Sequence, residues 1–178
     1  MRKLLTMKKT FYLLLFVLAL SATASAQTNW ITKNLDEKLS VKFPAEPEKV
    51  SKPGIDSYTV KAQDSIIYTA GVVDYKIVAG LDSDRLAPLK DMQQFADQIR
   101  LGMAAKKPNY TFGPITISKW KTYTLYTVSA TENSNKYTLT AQMITIGSKG
   151  YSFSCRVPVG MATPNKEAFL GSVELLKK

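Results

Sequence analysis

The sequence predicts an α+β fold, in which an antiparallel central β-sheet is flanked by helices on both faces as an α/β/α sandwich. β-branched and aromatic residues dominate three consecutive segments, and short polar turns separate them. These segments are residues 122–131, 136–146 and 151–157, with turns at 132–135 and 147–150. Residues 65–78 carry apolar side chains on both alternating faces, so this strand needs cover on both sides. An amphipathic helical pattern follows it and can supply that cover.

The first 26 residues have the pattern of a cleaved secretory signal peptide. Four cations lie among the first nine residues, an apolar run occupies 11–20, and Ala24-Ser25-Ala26 supplies small residues for signal peptidase. The run is too short to span a bilayer of about 30 Å as a helix. We expect cleavage before Gln27, with Met1 or Met7 as the start, and a single globular domain over 27–178. The mature chain is then expected to be periplasmic or extracellular, without a transmembrane segment. No cysteine lies near the cleavage site, so we do not expect a lipid anchor there.

The mature chain is moderately basic. The full sequence of 178 residues has a formal charge of +10, and without the four signal-peptide cations 20 Lys and Arg face 14 Asp and Glu. Such a charge either draws a protein to anionic surfaces and acidic partners or only keeps it soluble. Cys155 is the one cysteine, so no internal disulfide can form, and its place among alternating apolar residues favours a core position over a reactive thiol.

The amino-terminal half predicts strands. Residues 39–43 alternate apolar and polar side chains and end at Pro44, which cannot donate to a β-ladder. A polar segment at 48–56 contains the turn signal Pro53-Gly54. The strands at 57–62 and 65–78 are then expected to pair as a hairpin.

Helical signals follow in two places. Asp82-Ser83-Asp84 is interpreted as an N-cap, because it lacks the glycine and distal glutamate of a calcium loop. An apolar stripe at spacings of three and four predicts a five-turn helix ending before Pro108, with Leu86, Leu89, Met92, Phe95, Ala96, Ile99 and Met103 on its buried face. Residues 110–118 predict a strand that Gly113-Pro114 makes an edge or bulged strand. A closing helix is expected from Thr163-Pro164 through Leu176.

This order of elements, together with the opening Leu39-Ser40-Val41-Lys42-Phe43-Pro44-x-x-Pro47, resembles the PsbP-like superfamily. That superfamily includes PsbP of photosystem II, a nuclear-import factor that binds the GTPase Ran, and many small exported bacterial proteins. The resemblance covers residues 30–178. It implies an antiparallel sheet flanked by helices, serving as an accessory or binding module and not as an enzyme. No local motif of the Ran-binding or photosystem-binding members is present here.

Several catalytic classes lack their usual residues. The sequence has no histidine, which removes the commonest general base, the usual zinc ligand and every Ser–His or Cys–His pair. It also has no glycine-rich phosphate loop. We therefore expect no catalytic residues, no cofactor and no metal site. A carboxylate-based hydrolase remains the third-ranked possibility, after two binding functions.

Lys119-Trp120-Lys121 is the most suggestive local cluster, and Lys106 and Lys107 are candidates to join it. Cations around an aromatic ring can bind an anionic surface. The alternative is a tryptophan in the core with lysines that extend to solvent beside it. If the cluster is a docking surface, we expect Lys119 and Lys121 to lie on one side of the strand, because its side chains alternate with a period of two. Trp120 would then lie in the sheet–helix interface.

The sequence thus favours a non-catalytic exported accessory or binding domain that contacts a protein or an anionic component of the envelope. The alternative is a binder of a small apolar or anionic ligand in a cleft between a helix and the sheet. We expect a monomer and no specific nucleic-acid binding.

The native protein is predicted to begin at Gln27. Export removes the basic and apolar leader, so intact-mass measurement of protein isolated from its source should show the loss of residues 1–26. A mass that retains Met1 or Met7 on most molecules would contradict this prediction.

Overall fold

The computed structural model describes residues 30–177, which form two antiparallel sheets and four helices. The signal-peptide prediction lies outside these residues. The larger sheet has eight strands in the order β3-β4-β5-β10-β9-β8-β6, with β7 also beside β8. They are β3 (Glu48–Lys52), β4 (Ile55–Lys61), β5 (Ile67–Asp74), β6 (Tyr110–Phe112), β7 (Thr116–Trp120), β8 (Tyr123–Glu132), β9 (Tyr137–Ile146) and β10 (Lys149–Pro158).

The smaller sheet and the helices complete the described chain. The smaller sheet has the order β1-β2-β11, with β1 (Ile31–Asn34), β2 (Leu39–Phe43) and β11 (Glu174–Leu175). The helices are α1 (Tyr75–Ala79), α2 (Ser83–Leu86), α3 (Gln93–Lys106) and α4 (Asn165–Gly171). None of the helices within residues 30–177 is long and apolar enough to cross a membrane.

The predicted meander is present as β8, β9 and β10. Asn135 and Gly147, in the two turns, have φ angles of 56° and 62°. This left-handed geometry favours asparagine and glycine, and it explains why the turns fall where the sequence predicted them. β10 lies in the middle of the strand order of the large sheet, where it pairs with β5 on one side and β9 on the other.

One side of the large sheet, here called the core face, packs against the small sheet and α4. Tyr151, Phe153 and Cys155 of β10 are fully buried on it, as their alternation predicted. Phe169 of α4 lies 5.3 Å, ring centre to ring centre, from both Phe43 of the small sheet and Tyr68 of β5. Burial raises the pKa of the Cys155 thiol to about 12, which agrees with its interpretation as a core residue.

The Asp36 carboxylate fastens the small sheet to the large one. Its Oδ1 accepts from the backbone amides of Lys38 and Leu39, while its Oδ2 accepts from Lys149 Nζ at 2.8 Å and Tyr151 Oη at 2.6 Å. Burial raises the pKa of Asp36, but these hydrogen bonds outweigh burial and lower it overall. The carboxylate therefore stays charged where two layers meet.

The opposite side of the large sheet, here called the α3 face, is covered only in part. Ala96 of α3 is buried against Tyr126, Val128 and Ala141 of β8 and β9. Over β4 and β5 the same face carries half-buried or exposed residues such as Thr59 and Thr69. The prediction of helices on both faces thus holds in part. The chain is mainly antiparallel sheet with a few helices, and β5 is not covered on both sides.

Two predicted helices are shorter than expected. Asp82 does cap a helix, since its side chain accepts from the amide of Arg85, but that helix ends at Leu86 and α3 begins only at Gln93. Pro88 stands in the gap and has no N–H to continue the ladder. The closing helix ends at Gly171, because Glu174 and Leu175 pair with β2 instead.

The strand predictions need smaller corrections. The polar segment at 48–52 is the edge strand β3, and the strand predicted over 65–78 ends at Asp74, whose side chain caps α1. The segment at 110–118 is an edge with a bulge, as expected. Its pairing with β8 slips by one residue between Phe112, opposite Ala130, and Thr116, opposite Thr127.

Replacing Phe153 by alanine should lower the free energy of unfolding by about 3–5 kcal/mol, because a fully buried ring is lost and a cavity remains. Ser154→Ala is the matched control, since its side chain points to the α3 face and is half-buried. Urea unfolding should leave the control within about 0.5 kcal/mol of the wild type. Equal stability of the two variants would show that the register of β10 is wrong.

Candidate functional site

Lys119, the first candidate lysine, is held in an ion pair. Its ammonium lies 2.7 Å from Asp91 Oδ1 and 3.2 Å from Thr124 Oγ1, and the Thr124 hydroxyl donates to the same carboxylate oxygen at 2.7 Å. Lys119 and Thr124 are opposite each other in β7 and β8, on the α3 face. Hydrogen bonds from Lys119 and Thr124 lower the pKa of Asp91. The charge of Lys119 is therefore largely compensated within the protein.

Lys121 does not share a side with Lys119. Trp120 pairs with Tyr123, so Lys121 and Thr122 form a two-residue hairpin loop, and Lys121 has a φ of 55°. This left-handed residue ends the alternation of the strand. The Lys121 ammonium lies 4.8 Å from the centre of the Trp120 ring, within the range of a cation–π contact.

Trp120 is not in the sheet–helix interface, which corrects the expectation from the strand period. It lies on the opposite side of the sheet from α3, half-buried, with its ring 6.4 Å from that of Tyr123. Neither interpretation of the cluster therefore describes it fully. Trp120 is half-buried and its ring contacts the ammonium group of Lys121, whereas Lys119 bonds to Asp91.

Lys106 and Lys107 lie at the far end of α3 from Lys119. Lys107 ends the helix, and its ammonium stands 5.7 Å from the centre of the Tyr110 ring. Tyr110 pairs with Glu132, eight residues along β8 from Thr124, which corresponds to roughly 26 Å at the rise of a strand. The four candidate lysines thus form two separate basic ends, one at Lys119 and Lys121 and one at Lys106 and Lys107.

The second basic end contains an arginine that the sequence did not single out. Arg156 of β10 lies on the α3 face, where its guanidinium carbon is 4.2 Å from the centre of the Tyr137 ring. No carboxylate among residues 30–177 lies within 4 Å of its nitrogens. Tyr110, Glu132, Tyr137 and Arg156 are here called the Arg156 cluster.

The Arg156 cluster holds three buried polar atoms that have no hydrogen-bond partner among the described residues: Tyr110 Oη, Glu132 Oε2 and Arg156 Nε. Glu132 Oε1, in contrast, accepts from Asn109 Nδ2 at 3.3 Å. Burial raises the pKa of Tyr110, and the nearby Arg156 guanidinium opposes this rise. Native proteins leave few such groups unpaired, so three in one place require a cause.

Small hydroxyl residues continue from Arg156 across the α3 face. By strand register, Thr59, Thr69 and Ser154 form one row across β4, β5 and β10, and Ser57, Gly71 and Ser152 form the next. Ser152 and Ser154 are half-buried, and Thr59 is exposed. This part of the sheet is therefore a polar surface beside α3, with the Arg156 cluster at one end.

Sequence reasoning missed the Arg156 cluster because its members come from β6, β8, β9 and β10. One local signal was available. The polar set Ser152, Ser154 and Arg156 alternates with the core set of β10, and an arginine in such a central strand needs either solvent or a partner.

Tyr110→Phe should leave the free energy of unfolding unchanged or raise it by up to about 1 kcal/mol, since the hydroxyl that it removes has no partner. Tyr126→Phe is the comparison, because Tyr126 is also buried and its hydroxyl donates to the carbonyl of Lys90. That variant should lose about 1 kcal/mol in urea unfolding. A loss of the same size in Tyr110→Phe would mean that the hydroxyl has a hydrogen-bond partner, with the neighbouring Arg156 as the candidate.

Comparison with known proteins places the fold. No family profile and no curated protein matches the sequence significantly. Among solved structures, the chain is similar to the solution structure of cyanobacterial PsbP (CyanoP) from Synechocystis sp. PCC 6803, with a TM-score of 0.59 and 10% identity. The match covers 86% of this chain and 96% of that one. The chain therefore has a PsbP-like fold, as the order of its elements predicted.

Proposed function

We propose that this chain is a non-catalytic accessory domain that is exported and binds an acidic protein or an anionic component of the cell envelope. The PsbP-like fold supports the accessory role, and the basic composition of the mature chain supports the sign of the partner. One observation carries the proposal. Lys106, Lys107 and Lys121 are exposed, and no carboxylate among residues 30–177 lies within 4 Å of their ammonium groups.

Two of these lysines differ from ordinary surface lysines because their ammonium groups contact aromatic rings. The ammonium groups of Lys107 and Lys121 each stand over an aromatic ring, of Tyr110 and Trp120. A lysine held in this way loses less side-chain entropy when a partner binds, because part of its freedom is already gone. Lys119 differs from these lysines, because its ammonium group already forms an ion pair with Asp91.

The Lys106 and Lys107 end is the stronger of the two docking candidates. Arg156 lies near Tyr110 and adds a third cation there. No carboxylate among residues 30–177 lies within 4 Å of its nitrogens. Attraction at such an end is long-ranged but is screened over about 8 Å at physiological ionic strength. Binding should therefore weaken as salt is added.

The test uses the mature domain as bait for proteins and anionic vesicles from the native envelope. Lys106→Gln with Lys107→Gln should reduce capture about tenfold or more, and added salt should reduce wild-type capture in the same direction. Glutamine is preferred to glutamate, because a carboxylate at the carboxyl end of α3 would oppose the helix dipole and change stability.

The control exchanges the ion pair at the other end, as Asp91→Lys with Lys119→Glu. This variant keeps the net charge and the pair, so capture should be unchanged. Lys121→Gln, tested alone, measures the contribution of the first basic end. If capture is the same at low and high salt and in all of these variants, an anionic partner is ruled out.

A further inference from the structure

We propose that the edge strand β3 pairs with β3 of a second copy of this chain, so that two copies form a symmetric dimer through one continuous sheet. This inference goes beyond the proposed function, because it concerns a different surface and does not depend on an anionic partner. β3 ends the strand order of the large sheet, and among residues 30–177 only β4 pairs with it. A dimer departs from the monomer expected from the sequence.

Hydrogen bonds just outside the two ends of β4 show which of its residues bond to β5. The Asp74 amide donates to the Gly54 carbonyl at 2.8 Å, and the Ala62 amide donates to the Ile66 carbonyl at 3.0 Å. Because the direction of hydrogen bonding alternates along an antiparallel strand, the even-numbered residues of β4 bond to β5 and the odd-numbered ones bond to β3. The register pairs those odd-numbered residues with the even-numbered residues of β3. The odd-numbered residues of β3 therefore have backbone groups free for a further strand.

Only one symmetric register gives both free residues of β3, Lys49 and Ser51, a full pair of backbone hydrogen bonds. It is antiparallel and centred on Val50, so that Lys49 lies opposite Ser51 of the partner subunit and each of these pairs exchanges both of its bonds. A register centred on Lys49 sets Ser51 opposite Pro47 of the partner subunit. A register centred on Ser51 sets Lys49 opposite Pro53 of the partner subunit. Proline has no N–H to donate, so both of these alternatives lose hydrogen bonds.

The side chains of β3 complement one another in the register centred on Val50. Glu48, Val50 and Lys52 are exposed and share the α3 face, since Val50 lies in the row of Ser57. Neither Glu48 nor Lys52 has an opposite charge within 4 Å among residues 30–177. The two-fold axis sets each Glu48 opposite Lys52 of the partner subunit, with the two valines between these ion pairs. Opposite charges directly across a strand pair stabilise it.

The other face of β3 does not oppose the pairing. The Lys49 ammonium lies 3.1 Å from Asp56 Oδ2 and 5.3 Å from the centre of the Tyr58 ring, so its charge is compensated within its own chain. Across the proposed interface it meets the uncharged Ser51 of the partner subunit. Val50 is 51% exposed in the single chain, and its burial in the dimer adds a favourable apolar contact.

The main alternative is that β3 is an edge protected against pairing. Short strands, lysines and prolines commonly have that role, and β3 has five residues, two lysines, and Pro47 and Pro53 at its ends. Here, however, Lys52 meets a glutamate in the symmetric register, and the prolines lie outside the five paired residues. The prolines then limit the length of the pairing and exclude the other registers.

Sedimentation velocity of the mature chain tests the dimer at concentrations from roughly 10 μM to 1 mM, because a small interface associates weakly. The wild type should approach the mass of two copies as its concentration rises. Glu48→Lys and Lys52→Glu should each weaken association about tenfold or more, since each sets like charges opposite one another. Lys42→Glu is the matched control. It makes the same change of charge at an exposed lysine of β2, and association should stay as in the wild type.

A mixture of the two single variants tests the register directly. When Glu48→Lys is mixed with Lys52→Glu, every charge again meets its opposite, so the mixture should form dimers that neither variant forms alone. The double variant that carries both changes should dimerise like the wild type. Only the register centred on Val50 sets these two residues opposite each other.

Ser51→Pro tests the backbone contribution. It removes an N–H that faces the free edge and leaves the bonds between β3 and β4 in place, so it should also weaken association about tenfold or more. Thermal unfolding of each variant checks that lost association is not lost folding.

Three results would overturn the proposal. The first is a wild type that keeps the mass of one copy over the whole range, which would make β3 a protected edge or assign it to a different protein. The second is association that persists in both charge variants and in Ser51→Pro, which would place the interface elsewhere. The third is a mixture that does not dimerise. None of them affects the proposed docking, because β6 and the Lys106 and Lys107 end lie at the other end of the strand order.

Discussion

The charged Asp36 carboxylate is the contact on which the layering of this protein depends. One of its oxygens shapes the turn between β1 and β2, and the other accepts hydrogen bonds from Lys149 and Tyr151 of β10. The small sheet is thereby fixed over the core face. Without that cover, the fully buried Tyr151 and Phe153 would face water, and the apolar contribution to folding would be lost there.

The same constraint frees the other side of β10. Because the core face takes every odd-numbered residue from Tyr151 to Val157, the even-numbered Ser152, Ser154 and Arg156 must lie on the α3 face. Helix α3 is placed over β8 and β9 and does not reach across β5. The polar surface and the Arg156 cluster are thus the consequence of a core that needs only one side of the central strand.

The sequence predicted the parts of this structure that depend on local pattern. The meander, the register of Phe153 and the Asp82 cap all follow from alternation or from residue type at one turn. The prediction went wrong where a distant pairing decides the outcome. Glu174 and Leu175 read as the end of a helix, but β2 has a free edge that pairs with them.

In the candidate site too, the sequence predicts local features but not the contacts between distant segments. Each lysine of the predicted docking surface exists where expected along the chain, yet a left-handed residue at Lys121 and the length of β8 separate them in space. Neither effect can be read from spacing alone. The Arg156 cluster is assembled from four strands, and only the alternation in β10 hinted at it. Contacts between strands far apart in sequence are set by topology, which a single sequence constrains weakly.

The buried thiol of Cys155 has a consequence for the maturation of the protein. A thiol with a pKa near 12 has almost no thiolate at neutral pH, so the folded chain resists mixed disulfides and oxidants. The unfolded chain has an ordinary and accessible cysteine. Insertion of β10 between β5 and β9 therefore closes a brief interval of redox sensitivity, and alkylation of Cys155 afterwards measures how often the whole sheet opens.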